Sequence, residues 1–356
     1  MARVLLCARG GALELAAVAG ALRDRGAEPV VLDSSAYPSG LAMTLACGRD
    51  GFRGTWGGPD AEPASPRAGD LSGPREISAV WQSAVVGTQL PAMAPGMRET
   101  CVAASERTLA GLLDGLGAFQ LDPVWNQLRA DHKPLQLRRA QRLGLEVPET
   151  IITNDPAAVR AFARRCGPLV TKMLVQPAGS GGEPEGEAEV VFTTALSDSD
   201  LEQLDGLDLC PMIFQQRIAN QRDVRATVVG RRVFGAALDA AARDAGPGAR
   251  RESGESGDPV DPDWRRESYA LDRAPAWAPC ELPRALTDRL LRLLDELGLN
   301  YAAVDLIARP DGGYVFLELN ATGSFGFLGA ELAGPIAAAI AEVLVDPAAR
   351  RVASEV

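Results

Sequence analysis

Histidine and lysine are almost missing from this chain. A single histidine, His132, stands among 356 residues, and of 36 basic residues only Lys133 and Lys172 are lysine. One histidine excludes histidine-rich metal centres and leaves a Ser-His-Asp hydrolase resting on one residue. The six cysteines are scattered with no Cys-x-x-Cys pair, so buried free thiols in a reducing cytoplasm are expected rather than zinc or disulfides. No apolar run reaches the roughly eighteen residues of a membrane span, and the N-terminal "MARVLLCARGG" lacks the features of a secretory signal. A formal charge of −11 argues against non-specific nucleic-acid binding. A cytoplasmic enzyme with neither a nucleic-acid nor a membrane partner is the expectation.

With 46 % hydrophobic and 23 % charged residues the composition is that of an ordinary globular protein, long enough for two or three modest domains or one two-lobed enzyme. "RVLLCA", "ELAAVAGALRDRG" and "PVVLDSS" read as strand, amphipathic helix and strand, a βαβ opening. Gly10 and Gly11 read as turn residues, since no G-x-G-x-x-G follows. Residues 58–75 are Gly/Pro-rich and read as a surface loop, 77–85 as a strand and 98–116 as a long helix. Helical periodicity runs from Lys133 to Leu143 and closes at Gly144. A capped helix follows "TND", then a compact apolar strand "PLVTKMLV" carries Lys172, with another strand expected at "VVFTTAL". "CPMIFQQRIANQRDVRATVVGRRVFGAAL" holds two or three strands. Residues 240–262 lack apolar periodicity and read as mobile. An amphipathic helix at 283–299, a hairpin and a helix near 331–345 complete the chain.

The hairpin is the chemically pointed stretch. "YAAVDLIARPDGGYVFLELN" places two strand-like runs around Asp311-Gly312, a strong two-residue turn signal. If Pro310 pairs with Gly313, Asp305 lies opposite Glu318 with β-carbons roughly 4.5–5.5 Å apart. Opposed carboxylates repel and neither is cheap to bury. A divalent cation between them relieves both problems, and Asn320, on the face of Glu318, adds an oxygen to a set suited to Mg²⁺. The alternative is an exposed sheet face where acids are harmless, or another register. Lys172, inside an apolar strand and followed by "AGSGG", brings a compact ammonium and a flexible backbone for phosphates. No P-loop motif exists. With Lys133, these features point to an Mg-nucleotide site.

These segments resemble the ATP-grasp ligases. The matching pieces are "DHKPLQLRRAQRLGLEVPETIITND", "PLVTKML" with its glycine loop, "FQQRIANQRDVRATVVGRRVFGAAL", "DWR" at 263–265 and "VDLIARPDGGYVFLELNATG", in the family's order across about 124–345. "WNQL…KPLQL", "TIITND", "DWR" and "FLELNATG" look most like the microviridin-type graspetide synthetases, relatives of the ribosomal-protein glutamate ligases. The resemblance implies an α/β fold of two α+β lobes, the ATP-grasp fold, behind an N-terminal βαβ pre-ATP-grasp domain. Its divisions would be 1–123, a central lobe 124–200 with the glycine-rich loop, and a C-terminal lobe 201–356 with the Mg²⁺ site.

The same resemblance implies the chemistry: ATP-dependent activation of Glu or Asp side chains of a ribosomal precursor peptide, with a leader and a Thr- and Glu/Asp-rich core. Macrocyclic esters or amides with Thr, Ser or Lys side chains are its products, and a homodimer is its common assembly. Lys133 and Lys172 would contact nucleotide phosphates beside the loop Gly179, Ser180, Gly181 and Gly182. Gln215, Gln216, Arg217 and Ile218 would form the adenine hinge, and Asp223 would reach the ribose. Asp305, Glu318 and Asn320 would bind two Mg²⁺ ions, and Arg225 and Arg265 would face the γ-phosphate and the activated carboxyl. The chain departs from the family at Gln216, commonly glutamate, and at "WQSAV", where "WYRRP" is frequent. Two other readings are an amino-acid or peptide ligase forming intermolecular amides, and a nucleotide-binding partner without catalysis. His132 is expected to be structural or solvent-facing. Trp81, Trp125, Trp264 and Trp277 are candidates for a peptide groove or for the core.

Overall fold

The computed structural model describes residues 1–8, 12–49, 51–57, 69–70, 77–83, 90–175, 192–239, 263 and 276–352. Gly10, Gly11, the loop Gly179–Gly182, residues 240–262, Trp264 and Arg265 lie outside the described residues, as does most of 58–75.

The chain opens with β1 (Arg3–Ala8), α1 (Leu13–Asp24) and β2 (Glu28–Asp33). Two further strands, β3 (Ala42–Gly48) and β4 (Gly51–Gly57), form an antiparallel hairpin that the sequence pattern did not signal, extended by β5 (Gly69–Asp70). Then come β6 (Ile77–Gln82), α2 (Pro95–Gly115) and β7 (Phe119–Leu121). Strands β1, β2, β6 and β7 make a parallel sheet in the order β2-β1-β6-β7. Val4, Leu6 and Ala8 of β1 point into one core and Leu5 and Cys7 into another. Burial on both faces explains why that strand reads as a continuous apolar run.

Next in the chain are α3 (Val124–Ala130), α4 (Lys133–Arg142), β8 (Thr150–Thr153), α5 (Pro156–Cys166) and β9 (Leu169–Met173). They are followed by β10 (Thr194–Ala195), α6 (Asp198–Glu202) and β11 (Met212–Gln216). Strands β8 to β11 form a second, antiparallel sheet, β10-β9-β11-β8. Asp155 caps α5 by accepting the Ala157 N–H at 2.8 Å, as "TND" leads one to expect. Val159 and Phe162 of α5 pack on Leu169 and Phe214 of this sheet. Of the strand expected over "VVFTTAL", Val190 and Val191 lie outside the described residues, and the described part, 192–196, holds the two-residue β10.

The largest sheet takes β12 (Arg222–Val229), β13 (Arg232–Asp239), β14 (Ala278–Pro279), β15 (Tyr301–Ala308) and β16 (Tyr314–Asn320), in the order β14-β13-β12-β15-β16. One face lies under α7 (Arg284–Leu297), whose Leu286, Leu290, Leu293, Leu294 and Leu297 repeat at helical spacing. The other face is partly covered by α8 (Ala330–Val345). Helix α8 also packs against α1: Leu15, Val18 and Leu22 share a core with Leu332, Ile336 and Ile340. The N-terminal sheet is thereby joined to the large sheet by a continuous apolar layer. Trp81 and Trp277 are buried, whereas Trp125 is exposed and donates to Asp114.

The hairpin corrects the expected register. Arg309, not Pro310, pairs with Gly313: the Arg309 N–H donates to the Gly313 carbonyl at 2.8 Å, and the Gly312 N–H to the Arg309 carbonyl at 3.0 Å. Gly312 has φ +86°, so the loop holds three residues and ends in a left-handed glycine. Pro310 has no N–H to offer a ladder. Ala308, Ile307 and Leu306 face Tyr314, Val315 and Phe316, one step off the count from a two-residue turn. A bulge leaves Leu317 without a ladder partner, and Asp305 faces Glu318 after all.

Candidate active site

The five-stranded sheet aligns three charged residues. Arg225 on β12 pairs with Asp305 on β15, which pairs with Glu318 on β16. Arg225 NH1 donates to both Asp305 oxygens, at 2.7 and 2.8 Å, and NH2 donates to the Ser324 carbonyl at 3.1 Å. The guanidinium carbon lies 5.8 Å from the centre of the Phe327 ring. Glu318 is held by the two lysines: Lys172 Nζ is 2.9 Å and Lys133 Nζ 3.4 Å from Oε2. Asn320 Nδ2 bridges the carboxylates, 3.1 Å from Asp305 Oδ2 and 3.4 Å from Glu318 Oε1. Side-chain exposure of Asp305 and Glu318 is only 20 % and 18 %, so this is not an open sheet face on which acids are harmless. The protein's own cations already neutralise the opposed carboxylates.

Two elements deliver the lysines. Lys172 lies on β9 opposite Ile213 of the second sheet, and Lys133 opens α4 beneath the large sheet. Glu318 therefore marks the place where the two sheets face each other. Asp131, just before α4, has its carboxyl raised by burial, against the pull of Lys133 and with the push of Glu318. Gln136, one turn beyond Lys133, was missed by motif reading. Its Nε2 donates to the Leu319 carbonyl at 2.7 Å and to the Ala130 carbonyl at 2.5 Å, and its Oε1 accepts the Leu319 N–H at 2.9 Å. A side-chain amide thus completes the outer edge of β16 as another strand would, between Glu318 and Asn320. A glutamine on the core-facing side of a periodic helix is the only sequence signal it leaves.

The proposed hinge residues connect the two sheets. Gln215 is buried and donates to Thr150 Oγ1 at 3.0 Å; the Gln216 N–H donates to the Glu149 carbonyl and the Arg217 N–H to the Pro168 carbonyl, both at 2.9 Å. Ile218 is half-buried. Asp223 lies two residues before Arg225, on the same face, and accepts from Asn220 Nδ2 at 2.9 Å. Asp263 of "DWR" is buried and accepts the Thr193 N–H at 2.9 Å. His132 is exposed. The structure thus brings Lys133, Lys172, Arg225, Asp305, Glu318 and Asn320 together, with Gln215–Ile218 and Asp223 on the adjoining link and strand.

The donors fit an Mg-nucleotide. Two carboxylates and an amide form an all-oxygen set once Asn320 turns Oδ1 inward, and Mg²⁺ keeps several waters besides. No group of three His, Cys, Asp or Glu side chains that could hold a metal occurs among the described residues. Arg225 Nε is buried with no hydrogen-bond acceptor among the described residues, a donor that a phosphate oxygen could satisfy.

Comparison with known proteins bears on the fold and the family. Residues 12–128 match the family model of the MvdD pre-ATP grasp domain. The macrocyclase MdnC of Microcystis aeruginosa MRC, solved with its precursor peptide MdnA, is 32 % identical over 97 % of this chain and 99 % of that one, with a TM-score of 0.77. MdnB, a macrocyclase of the same strain, is 30 % identical over 97 % of this chain and 100 % of its own, with a TM-score of 0.73. A RiPP-associated ATP-grasp ligase of Chryseobacterium gregarium, in complex with ADP and a leader and core peptide, is 26 % identical over 100 % of both chains, with a TM-score of 0.80. No curated protein matches. The fold and the site define an ATP-grasp enzyme, an ATP-dependent carboxylate ligase. Within that class, the chain belongs to the microviridin-type peptide macrocyclases, the family of MdnC and MdnB. No helix among the described residues is long and apolar enough to cross a membrane.

Proposed function

We propose that this enzyme uses ATP and Mg²⁺ to activate Glu or Asp side chains of a ribosomal precursor peptide as acyl phosphates. It then closes macrocyclic esters or amides with Thr, Ser or Lys side chains. The observation that carries the reading is the meeting of Lys133, Lys172 and Arg225 with Asp305, Glu318 and Asn320 between two sheets. Support for a peptide substrate comes from MdnC, solved with a precursor peptide, and from the Chryseobacterium ligase, solved with ADP, leader and core. The partner would be a leader followed by a Thr- and Glu/Asp-rich core, and the enzyme would work as a cytoplasmic homodimer. The divisions 1–123, 124–200 and 201–356 would be its functional units.

The residues divide the work by charge. Asp305, Glu318 and Asn320 would hold two Mg²⁺ ions, which supply charge neutralisation on phosphate oxygens. Lys133 and Lys172 would exchange their grip on Glu318 for the phosphates. Gln215 to Ile218 would edge the adenine, Asp223 the ribose, and Gly179–Gly182 the phosphates. Arg225, with Arg265, would meet charge growing on the transferring phosphoryl group. The peptide carboxylate attacks the γ-phosphorus and ADP leaves; the hydroxyl or amine then attacks the acyl carbon and phosphate leaves. Positioning of the two peptide side chains supplies much of the rate, and no enzyme nucleophile is needed.

Incubation with ATP, Mg²⁺ and a candidate precursor, read by mass spectrometry, tests this. Loss of one water per cross-link with ADP release is expected. A gain in mass from a joined amino acid would instead support an intermolecular ligase. No ADP from any acceptor would support a non-catalytic partner.

A further inference from the structure

The turn after Asn320 is held from two sides. On one, Arg225 NH2 donates to the Ser324 carbonyl at 3.1 Å, the Tyr301 hydroxyl donates to the Gly323 carbonyl, and Phe327 lies 5.8 Å from the guanidinium carbon. On the other stands Glu14, in the first turn of α1. Its Oε1 accepts the Gly326 N–H at 2.9 Å and the Ser324 hydroxyl. Glu14 and Gly326 are 312 residues apart, so this contact belongs to the tertiary fold and not to any local motif.

The turn has no slack between these supports. A β-carbon at Gly323 would sit 2.5 Å from the Ala303 β-carbon and 2.7 Å from Arg225 NH2, and one at Gly326 would sit 2.8 Å from the Glu14 carboxyl. Burial pushes the Glu14 carboxyl up, but hydrogen bonds from Ser324 and from its own, Gly326 and Phe325 backbone N–H groups outweigh it. The group is held below its ordinary range. Glu14 is not needed to dock the N-terminal domain, because Leu15, Val18 and Leu22 already share a core with α8. What the carboxylate adds is a fixed place for residues 324–326, whose backbone in turn fixes Arg225.

We infer that Glu14 is a positioning residue for the nucleotide–metal site: through it the N-terminal domain seats the 323–327 turn against Arg225 and sets that guanidinium's grip on Asp305. This rests on the assignment of Arg225 and Asp305 to that site. The ligase module is then completed by a carboxylate from the domain that precedes it. A substrate that moves α1 would act on the same turn.

The test is calorimetric titration of the full chain with ADP, with and without Mg²⁺, beside the KM for ATP and thermal unfolding. Glu14→Ala should weaken Mg²⁺-dependent ADP binding by about tenfold, the effect of losing hydrogen bonds to a charged group. KM for ATP should rise, with unfolding shifted little. Glu14→Gln keeps an acceptor oxygen for Gly326 and should restore most of the affinity; Ser324→Ala, which spares the Gly326 bond, should fall between. Glu14→Ala binding Mg-ADP as tightly as the parent would overturn the inference, as would Ala and Gln variants equally lowered in melting temperature with binding intact. Asp305→Asn separates the two levels. If it spares the Mg²⁺ dependence, the site assignment itself fails; if it abolishes that dependence while Glu14→Ala does nothing, only the role of Glu14 falls.

Discussion

Two enclosed acidic sites in this molecule are neutralised in opposite ways. Asp122, at the junction of the N-terminal and large sheets, accepts from neutral, fixed donors among the described residues: the Asn300 N–H at 2.8 and 2.9 Å, the Tyr301 N–H at 2.8 Å and Asn300 Nδ2 at 3.1 Å. Asn300 in turn bonds the backbone of Arg351 and Val352, which ties the C-terminal segment to the same knot. Asp305 and Glu318 are instead held chiefly by Arg225, Lys172 and Lys133, with Asn320 between them. Backbone N–H groups cannot leave Asp122 without local unfolding. Lysine side chains are long and flexible and can leave Glu318 for another anion. The first arrangement makes a joint and the second an exchangeable site.

The comparison breaks most readily at Glu318. Glu318→Gln should lower turnover by about a thousandfold, the scale of losing a preorganised charge in phosphoryl transfer, while the protein stays folded. Steady-state ADP release beside a melting curve checks it. Asp122→Ala should do the reverse. Leaving buried N–H donors unmatched should cost about 3 kcal/mol of stability, read by denaturant unfolding, with little change in ADP affinity of the folded protein. Lys172→Arg should weaken nucleotide binding by about tenfold despite the kept charge, because a planar fork replaces a compact ammonium; calorimetry that finds equal affinity would remove the case for lysine there.

A pH dependence separates the two regions further. Burial pushes the Asp122 carboxyl up to about 7 against the pull of the Tyr301 and Asn300 donors. In the unfolded chain it titrates near 4. The folded state therefore holds the proton more tightly, and this group's contribution to stability is full below about pH 4, shrinks as pH rises and is gone above about 7. Unfolding of the parent and of Asp122→Asn between these limits should diverge with that slope; parallel curves would show that Asp122 is ionised throughout.

How much of this could be read from the sequence differs between the two regions. The hairpin opposition was legible because Asp311-Gly312 marks a turn and side chains alternate. It was reached through two departures that offset each other: a loop one residue longer than counted, and an extra residue at Leu317. The bulge left no trace, since a leucine among apolar neighbours carries no pattern signal. The lysines stood out by rarity, and the glycine-rich stretch after Lys172 pointed to phosphates before the resemblance gave both lysines that role. Helices α4 and α7 followed from period and α5 from its cap. Asp122 was not legible at all, because its partners lie 178 and 179 residues away. Gln136, 183 residues from Leu319, and Glu14 were hidden for the same reason. Local pattern reports faces and turns, while such pairs exist only after the domains meet.

The most direct test of an exchangeable site is the Mg²⁺ dependence of ADP affinity in the parent and in Glu318→Gln, measured alongside their melting temperatures. The expected result is tight Mg²⁺-dependent binding in the parent, loss of that dependence in the variant, and melting temperatures within a few degrees of each other. A variant that binds Mg-ADP like the parent, or that loses its fold, would show Glu318 to be a structural acid like Asp122.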